Sequence, residues 1–278
     1  MMPSSIMNPD QAMDLDQAVT TSAAKAVDDG IRVNRITLAQ PWEWLAKGWD
    51  DLRQARRYSL TYGAVLVLIS VLMTWALVSK GYTFIVPFLA AGFYLLAPVI
   101  GLGLYQISAH VEKHEPLQFC HALEAWRRNQ GQLSIITAGL IIIMQFWMLA
   151  NFFLFALLYT SIHPPLENFF RVVFLSGENN VFVFASVLVG FVLAGIAYAI
   201  SAISVPMLVD RKIDGFTAIR TSVKAVTTNW LPMGFWAVII VTCVGLGFLT
   251  LYIGLVIAMP LLGHATWHAY RDLVPVDQ

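Results

Sequence analysis

Six stretches of this chain, about 59–79, 82–108, 133–160, 181–209, 230–249 and 252–270, carry almost no charged side chains. A helix rises 1.5 Å per residue, so roughly twenty apolar residues cross a hydrocarbon core of ~30 Å. Each stretch is near that length. Within lipid every backbone N–H and C=O must be satisfied inside the segment, which restricts such runs to helices. Charged residues make up 12% of the chain and apolar residues 58%. Soluble domains carry about 25% charged residues. The expectation is therefore an all-α polytopic membrane protein with six transmembrane helices and the lipid bilayer as its solvent.

The formal net charge is zero, which supplies no basic field for nucleic acid. Cys120 and Cys243 fit no metal spacing, and the topology below puts them at different depths. Both read as small apolar residues rather than a disulfide.

Residues 1–33 read as a disordered cytoplasmic tail. They hold Asp10, Asp14, Asp16, Asp28 and Asp29 and few large apolar groups. No cationic start followed by an apolar run marks a cleaved signal. The membrane domain spans 34–273, and 274–278 form a short C-terminal tail. The segment from Ala39 to Arg57 predicts a first surface helix, with Pro41 suited to its first turn. Trp42, Leu45, Trp49 and Leu52 recur at steps of three, four and three and predict one buried face. Tryptophan favours the headgroup zone, so this face is read as interfacial, against lipid or against the protein's own spans. Glu43, Lys47, Asp50 and Asp51 are expected to meet water.

Lys80-Gly81 predicts a tight outer turn, and the second span holds Pro87 and Pro98. A second surface helix is expected over about 117–129, with Phe119, Leu123 and Trp126 in register. A short outer helix is expected over 166–175, and a third surface helix over Asp214–Asn229. Gly245, Gly247 and Gly254 predict close packing around a turn near Thr250.

Three windows run in parallel: Leu95-Leu-Ala-Pro98, Ile203-Ser-Val-Pro206 and Ile257-Ala-Met-Pro260. Ala122–Asn129 matches Ser222–Asn229 in spacing. The expectation is three parallel helical-hairpin units, each preceded by a cytoplasmic amphipathic helix and related by an axis along the membrane normal. The prolines fall in the second span of each unit, where a missing N–H tends to kink the helix. Fifteen Lys and Arg side chains lie on one side of the proposed spans, and only Lys80 and Arg171 on the other. The positive-inside rule then places both termini in the cytoplasm.

The motifs Pro41-Trp-Glu-Trp-Leu-Ala-Lys-Gly-Trp-Asp-Asp-Leu, Ser59-Leu-Thr-Tyr-Gly63, Gly254-Leu-Val-Ile-Ala-Met-Pro260 and Trp267-His-Ala-Tyr-Arg-Asp-Leu273 resemble an uncharacterised family of bacterial six-span integral membrane proteins of unknown function. The likeness runs from about Arg35 to Leu273. It implies an inner-membrane location and brings no catalytic residues. Some members are labelled as related to the haem–copper oxidase large subunit, which turns attention to the histidines.

His110 with His114, and His264 with His268, stand four residues apart. That spacing puts two imidazoles on one helix face, as a metal site can require. It equally suits helix C-termini, where a cationic side chain meets the dipole. The second reading is preferred, so no metal and no cofactor is expected. No Ser-His-Asp constellation, phosphate loop or carboxylate pair stands out, and no enzyme activity is assigned. Asn151 and Gln145 read as interhelical hydrogen-bonding groups. Three functions are carried forward: a non-enzymatic scaffold, assembly or partner-binding component; a passive transporter or channel along the axis between the units; and a haem or metal redox protein. The identity of any protein partner is not encoded in these patterns.

Overall fold

The computed structural model describes residues 31–118, 126–127, 129–158, 177 and 179–275. The tail over 1–30, most of the expected second surface helix with Cys120, and the expected outer helix over 166–175 lie outside the described residues. Every regular element among the described residues is helical: α1 Gln40–Gln54, α2 Arg56–Ser79, α3 Val86–Ile100, α4 Leu102–Glu112, α5 Gln130–Leu158, α6 Asn180–Ser201, α7 Ser204–Asp210, α8 Gly215–Thr228, α9 Trp230–Leu249 and α10 Leu255–Leu273, with a 3-10 turn over Thr83–Ile85.

Among the described residues, five helical stretches are long and apolar enough to cross a membrane: Arg56–Ser79, Val86–Glu112, Gln130–Leu158, Asn180–Asp210 and Trp230–Leu249. The second and fourth are each broken in two. Pro206 has no N–H for the carbonyl of Ala202, and its ring crowds that carbonyl. The helix accordingly ends at Ser201 and restarts at Ser204. Pro98 lies inside α3, which stops two residues later at Ile100. Pro87, expected inside the span, sits instead in the first turn of α3, where its missing N–H costs nothing.

The sixth stretch is a helix, α10, yet it falls short of the apolar length of the other five because His264, His268, Arg271 and Asp272 interrupt it. Its position explains this composition. It packs against α1, α2, α4, α7 and α9, and most of its second half is buried. Protein, not lipid, is the solvent for those side chains. The outer helices have the opposite pattern. α2 exposes Leu68, Leu72 and Trp75, and α5 exposes Phe146, Phe152 and Leu157. Such apolar surface is what a bilayer covers.

Residues 101–109 and 201–209 are buried at every position, so α4 and α7 are enclosed on all sides. With α10 they form the centre. Trp44, Trp236, Trp267 and Tyr270 fill the space beside them and are essentially inaccessible. Two close approaches let α10 sit there. A Cβ on Gly48 of α1 would stand 2.7 Å from the backbone N of Ala265. A Cβ on Gly63 of α2 would collide with the carbonyl of Val256. That carbonyl lies four residues before Pro260, which offers it no N–H. Only a residue without a side chain can pack on it.

The tight turn at Lys80-Gly81 forms as expected, with Gly81 at φ 79°. The turn joining α9 to α10 is tighter. Leu251 and Tyr252 take φ of 53° and 71°, a region β-carbon residues rarely enter. It is held by Gly254 N–H donating to Thr250 Oγ1 at 2.9 Å and by a Tyr252–Thr74 hydroxyl bond of 2.9 Å. Gly247 and Gly254 meet across it, as their spacing suggests.

Candidate functional site

Polar groups from four helices meet inside the bundle near the second half of α10. Trp44, Gly48, Asp51 and Ala55 follow at steps of four, three and four along α1, and all are buried. This is the face α1 turns to the protein. It differs from the face read from the sequence. Leu52 is buried and Leu45 half-buried, but Trp42 is 59% and Trp49 38% exposed. Trp42 leans on Phe235 at 5.7 Å between ring centres, and Arg53 lies 5.4 Å over the Trp49 ring. The strip chosen by spacing is thus the edge of the helix, half against protein and half outward. Asp51 corrects the expectation of a solvated carboxylate: it is 6% exposed.

Asp51 is buried because it has partners. Its Oδ2 accepts the Ser108 hydroxyl at 2.7 Å and bonds to His268 Nε2 at 2.9 Å. Ser108 Oγ also lies 2.7 Å from His264 Nδ1, and His264 Nε2 lies 2.8 Å from Ser59 Oγ. The proton order follows from the inventory of donors. An ionised Asp51 only accepts, so Ser108 donates to it. Ser108 must then accept from His264 Nδ1–H. His264 Nε2 is left as the acceptor of the Ser59 hydroxyl. The chain reads Ser59 to His264 to Ser108 to Asp51, with His268 donating from the other side.

A Ser-His-Asp constellation therefore exists, contrary to the sequence reading. Ser59, Ser108 and Asp51 were missed because they lie on three different helices. The one available signal was that Asp51 shares the helical register of Trp44 and Gly48. The arrangement is not that of a hydrolase. Ser108 stands between imidazole and carboxylate, and Ser59 and His264 are both fully buried among packed side chains. An attacking serine must reach a substrate carbonyl. What the network does is satisfy four buried side chains at once and tie α1, α2 and α4 to α10.

The four histidines separate. His264 and His268 join this network. His110 is in α4, whereas His114 lies past the helix end at φ 54°, so this pair does not share a helix face. Its i,i+4 spacing runs through a helix stop. Among the described residues no group of three or more His, Cys, Asp or Glu side chains is arranged to hold a metal ion.

A second polar cluster caps the centre. Arg271 bonds Glu112 at 2.9 Å and reaches Asp210 at 3.4 Å. Trp267 Nε1–H donates to Glu112 at 3.0 Å, and the Tyr270 hydroxyl donates to Asp210 at 2.6 Å. Arg211 donates to the Tyr270 oxygen at 2.8 Å. Glu112, Asp210 and Arg271 stand at the ends of α4, α7 and α10, so one ion cluster gathers the three enclosed helices.

Three further side chains hold backbone segments. Tyr58, at the start of α2, donates to Leu117 O at 2.8 Å. Asn129, just before α5, donates to Ile213 O at 3.2 Å. Asn229, just before α9, donates to Asn34 O at 3.0 Å and accepts from Ile36 N–H at 2.9 Å.

Fold and site together define an all-helical polytopic membrane protein stapled by internal polar networks, without an open catalytic centre among the described residues. Residues 85–210 match the model of a family described as a predicted integral membrane protein (DUF2189), of unknown function. The match covers the middle of the chain and not the motifs around Trp44 and Trp267. No curated protein and no solved structure matches this chain.

Proposed function

We propose that this protein is a non-enzymatic component of a bacterial inner membrane, a six-span scaffold presenting amphipathic helices to a partner at the cytoplasmic surface. The observation that carries this reading is the filled centre. The space where a solute would pass holds α4, α7 and α10 with Trp236, Trp267 and Tyr270 packed around them. A transport path needs polar groups facing a passage at mid-depth.

The three-unit reading gains support from Tyr58, Asn129 and Asn229. Each stands at or just before the start of the first span of its unit. Each holds the backbone leading into the next unit: the first to the second, the second to the third, the third back to the first. α4 and α7 are the closing halves of the first two second spans and α10 is the third, and the ion cluster joins their ends. In this arrangement α10 is the sixth span, returning through the middle of the protein. Trp42 and Trp49 lie at the headgroup level and Arg53 faces anionic lipid.

Reporter fusions at Lys80, Gly177 and Thr250 are expected to report the outer side, and fusions at either terminus the cytoplasm. Purified protein in sealed vesicles is expected to pass small neutral solutes no faster than empty vesicles. Cytoplasmic signals at two of the three loops would remove the topology. Solute flux above the empty-vesicle rate would overturn the scaffold reading in favour of a passive channel.

A further inference from the structure

A cleft of about 480 Å³ opens between the lead-in segment before α1, the first turns of α1 and the end of α10. That is the size of a pocket for a small molecule. Its walls are anchored. Asn34 N–H donates to Leu273 O at 2.9 Å, and the Asn34 side chain donates to Asp272 O at 2.9 Å. Ile36 N–H is held by Asn229. Arg35 is therefore presented from between two fixed residues. Gln40, Glu43 and Lys47 recur at steps of three and four and give α1 a second polar face toward the same space.

The charges in the cleft are not equivalent. Arg271 is committed to Glu112 and Asp210. Lys47 pairs with Asp272 at 3.5 Å, and Asp272 also accepts from Trp44 Nε1–H at 2.8 Å. Among the described residues, Arg35 and Glu43 have neither an ion pair nor a side-chain hydrogen bond, although both line the cleft. One cation and one anion are thus left over, too far apart to pair with each other. A purely anionic ligand would face Glu43 and Asp272, and a purely cationic one Arg35 and Lys47.

We propose that this cleft binds a small zwitterion, its anionic group on the Arg35 guanidinium and its ammonium on the Glu43 carboxylate. Guanidinium suits a carboxylate or a phosphate alike. The ligand is therefore either a free amino-acid-type solute or the phosphoethanolamine headgroup of a lipid, which share this chemistry. The site goes beyond the scaffold reading and does not depend on it. The cleft joins the lead-in segment before α1 to the end of α10, so occupancy would hold these two segments together.

The test is calorimetric titration and thermal unfolding of the full-length protein in a maltoside detergent. Glycine, O-phosphoethanolamine and lysophosphatidylethanolamine are the probes. Acetate, ethanolamine, inorganic phosphate and lysophosphatidylcholine are the controls. At least one zwitterionic probe is expected to bind saturably and raise the Tm, acetate, ethanolamine and phosphate, each of one charge sign, to do neither, and lysophosphatidylcholine, whose trimethylammonium has no N–H to give Glu43, to bind more weakly than lysophosphatidylethanolamine. Binding of glycine assigns a free solute; binding of the lysolipid without glycine assigns the headgroup. Arg35→Ala and Glu43→Gln should each weaken binding by about tenfold or more, a change of 1.4 kcal/mol. Both side chains are exposed and unpaired, so the ligand-free Tm should stay that of wild type. Absence of saturable binding by all three probes, equal response to acetate or ethanolamine, or wild-type affinity in both variants would overturn the proposal. The control ligands on the unmodified protein decide the matter even if a variant fails to fold.

Discussion

Asp50 and Asp51 are neighbours in sequence and opposites in consequence. Asp50 is exposed, while Asp51 supplies the one oxygen that Ser108 and His268 share. Removing Asp51 leaves the buried Ser108 hydroxyl and the His268 N–H without their acceptor, at roughly 1–3 kcal/mol for each unsatisfied group. Asp51→Ala is therefore expected to lower stability by about 3 kcal/mol. Asp50→Ala should stay within about 0.5 kcal/mol, as surface changes do. Thermal unfolding of the two variants side by side measures the difference, and equal effects would refute the network. Asp214 offers a pH-dependent counterpart outside the membrane. It caps α8, and hydrogen bonding from Thr217 holds its carboxyl below the usual carboxylate range. A lowered folded-state pKa stabilises at pH above the ordinary carboxylate value, and this is lost as pH falls through the folded value. Asp214→Asn should keep the cap and lose that acid dependence, whereas Asp214→Ala should lose both. Unfolding followed from pH 6 to pH 2, on the order of the carboxylate range and below it, would show this.

Among the elements, α10 is the one whose composition and position disagree most with an isolated reading. As a free segment it is too polar to be an obvious span. Enclosed by α1, α2, α4, α7 and α9, it is a helix whose polar groups each find a partner. Gly48 and Gly63 set the distance of two of those neighbours. Gly48→Leu is expected to push α1 off α10, since overpacking a filled contact costs about 1–3 kcal/mol and no side chain there can yield. A cysteine at position 52, buried in the native protein, should then react with a water-soluble maleimide. If it remains protected in the Gly48→Leu background, the helix has another anchor. The strip of Trp42, Leu45, Trp49 and Leu52 shows why spacing alone did not resolve α1. Two apolar faces, one for protein and one outward, adjoin on the same helix. Periodicity reports their sum, and its centre falls between them.

For the whole molecule, the clasps at Tyr58, Asn129 and Asn229 give the three-unit reading a quantitative form. Each net hydrogen bond is worth about 0.5–1.5 kcal/mol. Asn229→Ala removes several bonds, including the one to Ile36 N–H, and should destabilise most. Tyr58→Phe and Asn129→Ala each remove one described bond and should cost about 1 kcal/mol. If the three units close on one another, Asn229→Ala should also release the N-terminal lead-in, read as faster protease cleavage near Arg35. Unchanged cleavage would show that the third unit does not hold the first.

The membrane class, the helical architecture and five of the six expected long apolar helices were legible in the sequence. They depend on composition and length, which act locally: a bilayer tests each segment separately. The turns at Gly81 and Thr250 were legible for the same reason. The breaks at Gly101 and Ala202 were half-legible, since Pro98 and Pro206 mark the positions but not whether the helix bends or stops. The buried network was not legible. Asp51, Ser59, Ser108, His264 and His268 span more than two hundred residues of chain, and nothing in their spacing says that four helices bring them together. The sequence alone determined that this chain is an integral membrane protein with several long apolar helices. Only the tertiary structure decided that Asp51 is interior, that α10 runs through the centre, and which charges are left without partners. Burial and pairing are properties of contacts between distant segments, and those contacts exist only once the chain has folded.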